Sequence, residues 1–362
     1  LWERPGVDTI GSWLRELKLE ADAVIVLYLG RLTVNQRKSF ARTARRDELA
    51  LAVLDELLLL HLAEERDARL KVFLRCALPF AVLNPYTPFQ AGDVPPEMFC
   101  GRDAMARELE RPEGTCLVYG GRQLGKSALL RHVERRFSDP SRDRHALVLP
   151  IALIGDPNCH PSRHIWLRLR DELKARSLLS AKVTTERPDE IVRHIRESLS
   201  AAPERRILVL FDEADNFLDA DARDGFPIVD ALRELMSATS RRFKVVFAGL
   251  HNVQRFQGIP NQPLAHFGQA ILVGPLEPDA ALELVRRPFE VLGYRFESSN
   301  SLLRILSYTN YHPGLIQLFC QTLLKRLQTM VATSMPPYEI SQSDVEAVYR
   351  LQDVQASIRE RF

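Results

Sequence analysis

The sequence is poor in cysteine and spaces none of it for metal or disulfide chemistry. Cys76, Cys100, Cys116, Cys159 and Cys320 are scattered over 362 residues without a C-x-x-C pair. That excludes a thiolate zinc site of ordinary spacing and a disulfide framework, and leaves reduced thiols of the kind expected in a cytosolic protein. Cys159, His160 and His164 stand close together, but Pro157 and Pro161 make the stretch a loop, and it has no fourth ligand. No apolar run reaches the ~18 residues that a membrane-spanning helix needs; the most tempting one, Leu51–Leu62, is broken by Asp55 and Glu56. An excess of one charge is missing too. A net charge of +2 supplies no general attraction to a polyanion or a membrane surface. There is no internal repeat, no low-complexity tract, no initiator Met and no signal-peptide pattern, so the chain is expected to begin inside a longer protein. What remains is an ordinary globular composition with room for about two or three domains.

What is present concentrates in one stretch. Gly120-Gly121-Arg122-Gln123-Leu124-Gly125-Lys126-Ser127 fits G-x-x-x-x-G-K-[ST], the phosphate-binding loop of P-loop NTPases. Cys116-Leu117-Val118-Tyr119 before it reads as a buried strand, and Ala128–Val133 after it has helical spacing. This context matters because the loop works only as a turn from strand to helix. There glycines let backbone N–H groups curl around phosphate oxygens, and the helix N terminus adds its partial positive charge. The residues from Gly120 to Ala128 are therefore expected to hold ATP or ADP. Lys126 is expected to reach the β- and γ-phosphates, and Ser127 to ligate Mg²⁺.

Toward the N terminus, residues 1–20 form a short amphipathic segment with Trp2, Ile10, Trp13, Leu14 and Leu17 on its apolar face. Val24–Leu29 reads as a buried strand. Six basic residues and no acidic one lie between Arg31 and Arg46, which reads as a solvated helix face before a polyanion contact. Leu49–Leu62 and Ala68–Leu78 read as apolar helices, or as a strand followed by helices. Asp55 and Glu56 beside the basic run lack the further spaced carboxylates of a nuclease site. Residues 1–83 are thus a small α/β module of unassigned chemistry, and the proline-rich segment 84–97 is an extended linker.

Residues 98–276 alternate strands (Ala146–Ile151, Ile207–Glu213, Lys244–Gly249, Ala270–Val273) with helices (Ile165–Leu178, Glu190–Leu199, Phe226–Ala238). That alternation predicts an α/β fold: a P-loop NTPase parallel sheet of about five strands with helices on both faces. From Pro278 onward the pattern is helical only, so residues 277–362 are expected to form a helical lid.

Two further features carry chemistry. Ile207–Phe211 is an apolar strand ending in Asp212-Glu213, about 85 residues after the phosphate loop. Phosphoryl transfer needs one carboxylate for Mg²⁺ and another to polarise the attacking water; Asp212 is assigned the metal and Glu213 the general base. After the Lys244–Gly249 strand come His251 and Asn252. NTPases with an inserted central strand place a γ-phosphate-sensing polar residue there, and His251 is the catalytic candidate.

Beyond these motifs the chain resembles the STAND and origin-recognition-like ATPases, relatives of the AAA+ proteins, over about residues 95–330. Phe99-Cys100-Gly101-Arg102-Asp103 resembles the F-x-G-R-[ED] segment, which implies that Phe99 and Arg102 lie along adenine and ribose. Pro275-Leu276-Glu277-Pro278 resembles the turn into the lid. Thr309–Gln317 resembles T-G-G-H-P-x-L-I-Q, with Asn310-Tyr311 in place of Gly-Gly; the resemblance implies that His312 and Pro313 abut the nucleotide. Residues 263–269 lack the arginine that hexameric AAA+ enzymes present to a neighbour, and Arg255 is the nearest. The resemblance implies a cytoplasmic, ATP-hydrolysing bacterial signalling or antiviral defence switch. It would self-associate or engage a protein partner through flanking domains, without a membrane partner. The rival reading is a DNA-binding ATPase of the origin-recognition or transposition-regulator type, using the basic runs at 31–46 and 131–144. A second rival is a scaffold that binds nucleotide without turnover.

Overall fold

The computed structural model describes residues 24–46, 51–66, 68–80, 83–90, 94–151, 161–250, 264, 267–329 and 336–361. Two compact units emerge, Gln90–Pro275 and the combination of Leu1–Phe89 with Leu276–Phe362.

The first unit is built on a five-stranded sheet. Its strands are β3 (Leu117–Tyr119), β4 (Arg144–Pro150), β5 (Arg206–Asp212), β6 (Phe243–Gly249) and β7 (Ile271–Leu272). They lie in the order β4-β5-β6-β3-β7, and every pairing is parallel. A parallel sheet covered on both faces needs strands apolar on both faces, and β5 meets that need. Ile207, Val209 and Phe211 enter one core with Trp166, Leu169, Ile195, Phe217 and Leu232. Leu208 and Leu210 enter the other with Leu109, Leu129, Leu130 and Val133. Each such side chain contributes roughly 1.5–3 kcal/mol of transfer free energy. The first core is roofed by α6 (Pro161–Ala175), α7 (Pro188–Ala201), α8 (Asp215–Arg223) and α9 (Pro227–Ala238). The second is roofed by α4 (Asp103–Glu110) and α5 (Lys126–Phe137). This is the expected P-loop α/β fold, with β6 inserted between the phosphate-loop strand β3 and the carboxylate strand β5.

In the second unit, β1 (Val24–Tyr28), α1 (Val34–Arg46), β2 (Leu51–Asp55), α2 (Glu56–Glu64) and α3 (Arg69–Ala77) follow in order. The strand-then-helix reading of Leu49–Leu62 is therefore the one adopted. β1 and β2 pair in parallel, and β1 departs from the expected buried strand. Val24, Val26 and Tyr28 pack on Leu32, Phe40 and Leu51, whereas Ile25 and Leu27 remain 65% and 59% exposed. Asp55 is fully buried and structural: it accepts from Leu32 N, Leu58 N and Arg37 Nη2, which accounts for this carboxylate without nuclease chemistry.

The C-terminal part holds α10 (Pro278–Val291), α11 (Ser299–Thr309), α12 (Pro313–Thr329), α13 (Gln342–Tyr349) and α14 (Gln352–Arg359). The helical-only expectation fails in one respect. β8 (Tyr294–Phe296) and β9 (Tyr338–Ile340) form a parallel pair. Three-residue strands carry no readable period, and their partners lie 44 positions apart. Residues 83–87 run extended as the prolines dictate. Tyr86 is buried, its hydroxyl donating to Val285 O at 3.1 Å, while Gln321 Nε2 donates to Tyr86 O at 3.0 Å.

Candidate nucleotide site

The site is built from chain turns at the C-terminal ends of β3, β5 and β6. After Tyr119 the chain passes through Gly120–Gly125 into the twelve-residue helix α5. Gly120 is required by crowding. Val273 N donates to Tyr119 O at 2.7 Å, and a Cβ on Gly120 would stand 2.2 Å from Val273 O. Gly125 is the N-cap of α5 at φ +91°, in the left-handed region, with no side-chain cap on the helix. The first-turn amides are thus left to an anion, which a helix N terminus favours. Lys126 Nζ donates to Gly120 O at 2.8 Å and Gly121 O at 2.7 Å, so the loop's own carbonyls hold the ammonium at its mouth. Burial pulls the Lys126 pKa below its ordinary value, and the nearby Asp212 and Asp215 carboxylates oppose that shift.

Asp212 closes β5 and is buried. Its Oδ1 accepts from Glu213 N at 3.0 Å, and Oδ2 makes no hydrogen bond among the described residues. Glu213 is exposed and sits at φ +56°. That conformation costs a non-glycine residue roughly 1–2 kcal/mol, and such strain concentrates where a side chain must be aimed. Asp215, which the sequence reading passed over, begins α8, and its Oδ2 accepts from Leu250 N at 2.7 Å. A Cβ on Gly249 would meet that carboxylate at 2.8 Å, so glycine there lets the exit of β6 close onto α8. The signal was visible in Asp212-Glu213-Ala214-Asp215 as a third acid at the start of the next helix. His251, Asn252 and Arg255 lie outside the described residues, as do Cys159 and His160.

Arg102 braces the phosphate loop. Its guanidinium lies against the phosphate loop, donating from Nη1 to Leu124 O and from Nη2 to Gly274 O at 2.8 Å. It is 5% exposed, and burial lowers its pKa to about 10. Phe99 stacks on His132 of α5, with ring centroids 4.0 Å apart. In the other unit, His312 is buried and its Nδ1 accepts from Leu315 N at 3.3 Å, capping α12, in which Pro313 is the first residue. Asn310 and Tyr311 adopt φ +45° and +58°. The turn therefore keeps the left-handed backbone that a Gly-Gly pair would take freely.

The basic run at 131–144 is largely occupied within the fold. Arg131 pairs with Glu134, Arg136 with Asp103 and Glu110, and Arg142 with Asp139, while Arg135 donates to Val94 O. Among the described residues no group of His, Cys, Asp and Glu is arranged to hold a metal by itself, and no helix is long and apolar enough to cross a membrane.

No protein-family model matches the chain, and no curated protein matches it. Among solved structures it is similar to the Aeropyrum pernix ORC2 protein in ADPNP–ADP complexes, at 12% identity over 73% of this chain and 72% of that one, TM-score 0.49. It is similar to Cdc6p from Pyrobaculum aerophilum at 13% identity over 67% of this chain and 65% of that one, TM-score 0.42. A third likeness is to the FIGL-1 AAA domain, at 15% identity over 71% of this chain and 84% of that one, TM-score 0.40. The fold rests on the strand order and on the turn from β3 to α5.

Proposed function

We propose that the chain binds ATP and hydrolyses it slowly, as a STAND-type switch acting in the cytosol. The observation that carries this reading is the meeting, at one edge of the sheet, of an uncapped helix N terminus, Lys126 and the strand-end acids Asp212 and Glu213. Backbone amides from Gly120 to Ala128 hold the phosphates. Lys126 exchanges the Gly120 and Gly121 carbonyls for phosphate oxygens and neutralises charge in the transition state. Glu213, exposed and held in its strained turn, takes the proton of the attacking water. Ser127 and Asp212 suit Mg²⁺: both offer oxygen, the donor a hard cation prefers, and Asp212 Oδ2 is unclaimed among the described residues. When bound, the ion neutralises phosphate charge. Nucleotide state then sets conformation or self-association, in a bacterial signalling or defence setting drawn from the family resemblance.

Lys126→Ala is the test, read by calorimetric titration with ATP and by phosphate release. Removing one partner of a desolvated charge pair costs ~2–5 kcal/mol, a loss of affinity of at least about thirtyfold. A variant that keeps both binding and turnover overturns the reading. The DNA-binding rival is weakened by the internal pairing of Arg131, Arg136 and Arg142. DNA affinity that falls steeply with salt would restore it.

A further inference from the structure

We infer that Arg102 is the positioning residue through which the phosphate loop governs the peptide where the chain leaves the sheet unit. The inference rests on the nucleotide-binding reading above and extends it to regulation.

Three observations converge. First, the guanidinium bridges two carbonyls that belong to different functions and lie far apart in sequence. Leu124 O is inside the phosphate loop, 22 positions away, and Gly274 O is 172 positions away. Second, the bridge is built into the loop: the Cβ that Gly125 lacks would lie 2.8 Å from Arg102 Nη1, so the loop glycine is what admits the guanidinium. Third, no carboxylate pairs with this buried cation among the described residues. An unpaired buried charge is costly, and here the two backbone carbonyls meet it instead. At Lys126 the positive potential of Arg102 and Arg122 is set against the larger opposing contributions of Asp212 and Asp215.

The Gly274 end gives the bridge its meaning. The division between the two compact units falls between Pro275 and Leu276. On the far side of that peptide, Leu276 N donates to Tyr311 O at 3.0 Å, in the left-handed turn that precedes His312. Gly274 has open space where a Cβ would be, so the glycine is not required there by crowding. Gly274, the next-to-last residue of the sheet unit, is held by Arg102 where the chain leaves that unit. A guanidinium is planar and offers its donors in a fixed fork. A shift of the Leu124 carbonyl as the loop closes on phosphate is thus passed to Gly274 rather than absorbed. Lysine, a point donor on a flexible stem, would hold one carbonyl at a time.

The test uses the full chain with Mg·ATP, Mg·ADP or no nucleotide, and reads hydrogen exchange in the peptide spanning 270–280. The variants are Arg102→Lys and Arg102→Met, each measured at a nucleotide concentration that saturates it, and Lys126→Ala, measured at the concentration that just saturates the parent. The parent is expected to show at least a threefold change in exchange rate in this peptide on adding Mg·ATP. Arg102→Met is expected to bind and lose at least half of that change, and Arg102→Lys to fall between. A role confined to stability would lower the melting temperature and leave the nucleotide-dependent change whole. Arg102→Met that binds ATP and shows the parent's change overturns the inference. If Arg102→Met fails to fold or bind, Arg102→Lys decides: a full parental change overturns the inference and a reduced one sustains it. The ATPase reading fails separately, if the parent does not bind ATP or if Lys126→Ala responds as the parent does.

Discussion

Replacing Gly125 with alanine tests the geometry of the loop where it meets Arg102. Two costs follow from the structure. The residue sits at φ +91°, where an L side chain pays roughly 1–2 kcal/mol. The new methyl would also stand 2.8 Å from Arg102 Nη1, closer than carbon and nitrogen tolerate, so the guanidinium has to withdraw from Leu124 O. A hydrogen bond to a charged group contributes about 1.5–3 kcal/mol. Gly125→Ala is therefore expected to destabilise the sheet unit by roughly 2.5–5 kcal/mol, measured by urea unfolding without nucleotide. The double variant Gly125→Ala/Arg102→Met separates the costs. With no guanidinium to displace, only the backbone cost remains, so the two single effects should overshoot the double by roughly 1.5–3 kcal/mol. Effects that add to within about 0.5 kcal/mol would refute the claim that Gly125 exists to admit Arg102.

Other expectations follow from the same structure. Asp55→Asn breaks the pair with Arg37, whose side chain is 21% exposed, and should cost up to roughly 3 kcal/mol, the lower end for a buried pair. Burial pushes the Asp55 pKa up, but the Leu32 and Leu58 amides and Arg37 outweigh it and hold the carboxyl below its ordinary value. Its stabilisation is thus present above the unfolded carboxylate range of about 3.9 and fades as pH falls through the folded value; acid titration of the variant should lack that component. Lys244 is 3% exposed and donates to Leu109 O at 2.9 Å and to Arg111 O, closing the C-terminal end of α4. Burial lowers its pKa to about 8, so the folded state sheds the proton before the unfolded state does. Lysine's contribution should therefore rise with pH from about 8 toward the unfolded value near 10.4. Urea midpoints of the parent should climb over that window and those of Lys244→Met should not.

Legibility in the sequence tracked how local the cause was. The turn from β3 to α5 was readable because its glycines answer to a spacing, and Gly120 and Gly125 prove to be the positions where a Cβ has no room. β5 was readable because five apolar residues precede Asp212, and only a strand buried on both faces needs that. The placement of β6 between β3 and β5 was expected only by analogy with NTPases that insert a central strand, since it depends on which strands pair across long intervals. β8 and β9 were missed for the same reason. α8 was missed because Asp215, Asp219 and Asp221 blur its apolar face, although Phe217 and Leu218 are buried. Arg102 marks the sharpest difference. The family resemblance singled the residue out, but its acceptors Leu124 O and Gly274 O could not be read, because they are set by tertiary structure.

The central claim, a hydrolytic phosphate-loop site served by a strand-end acid, is tested most directly by phosphate release from Mg·ATP in the parent and in Glu213→Gln. General-base catalysis contributes about 10²–10⁴-fold. The account predicts that Glu213→Gln binds ATP as the parent does and turns over at least about a hundredfold more slowly. Equal turnover in the two proteins, or none in either, would contradict it.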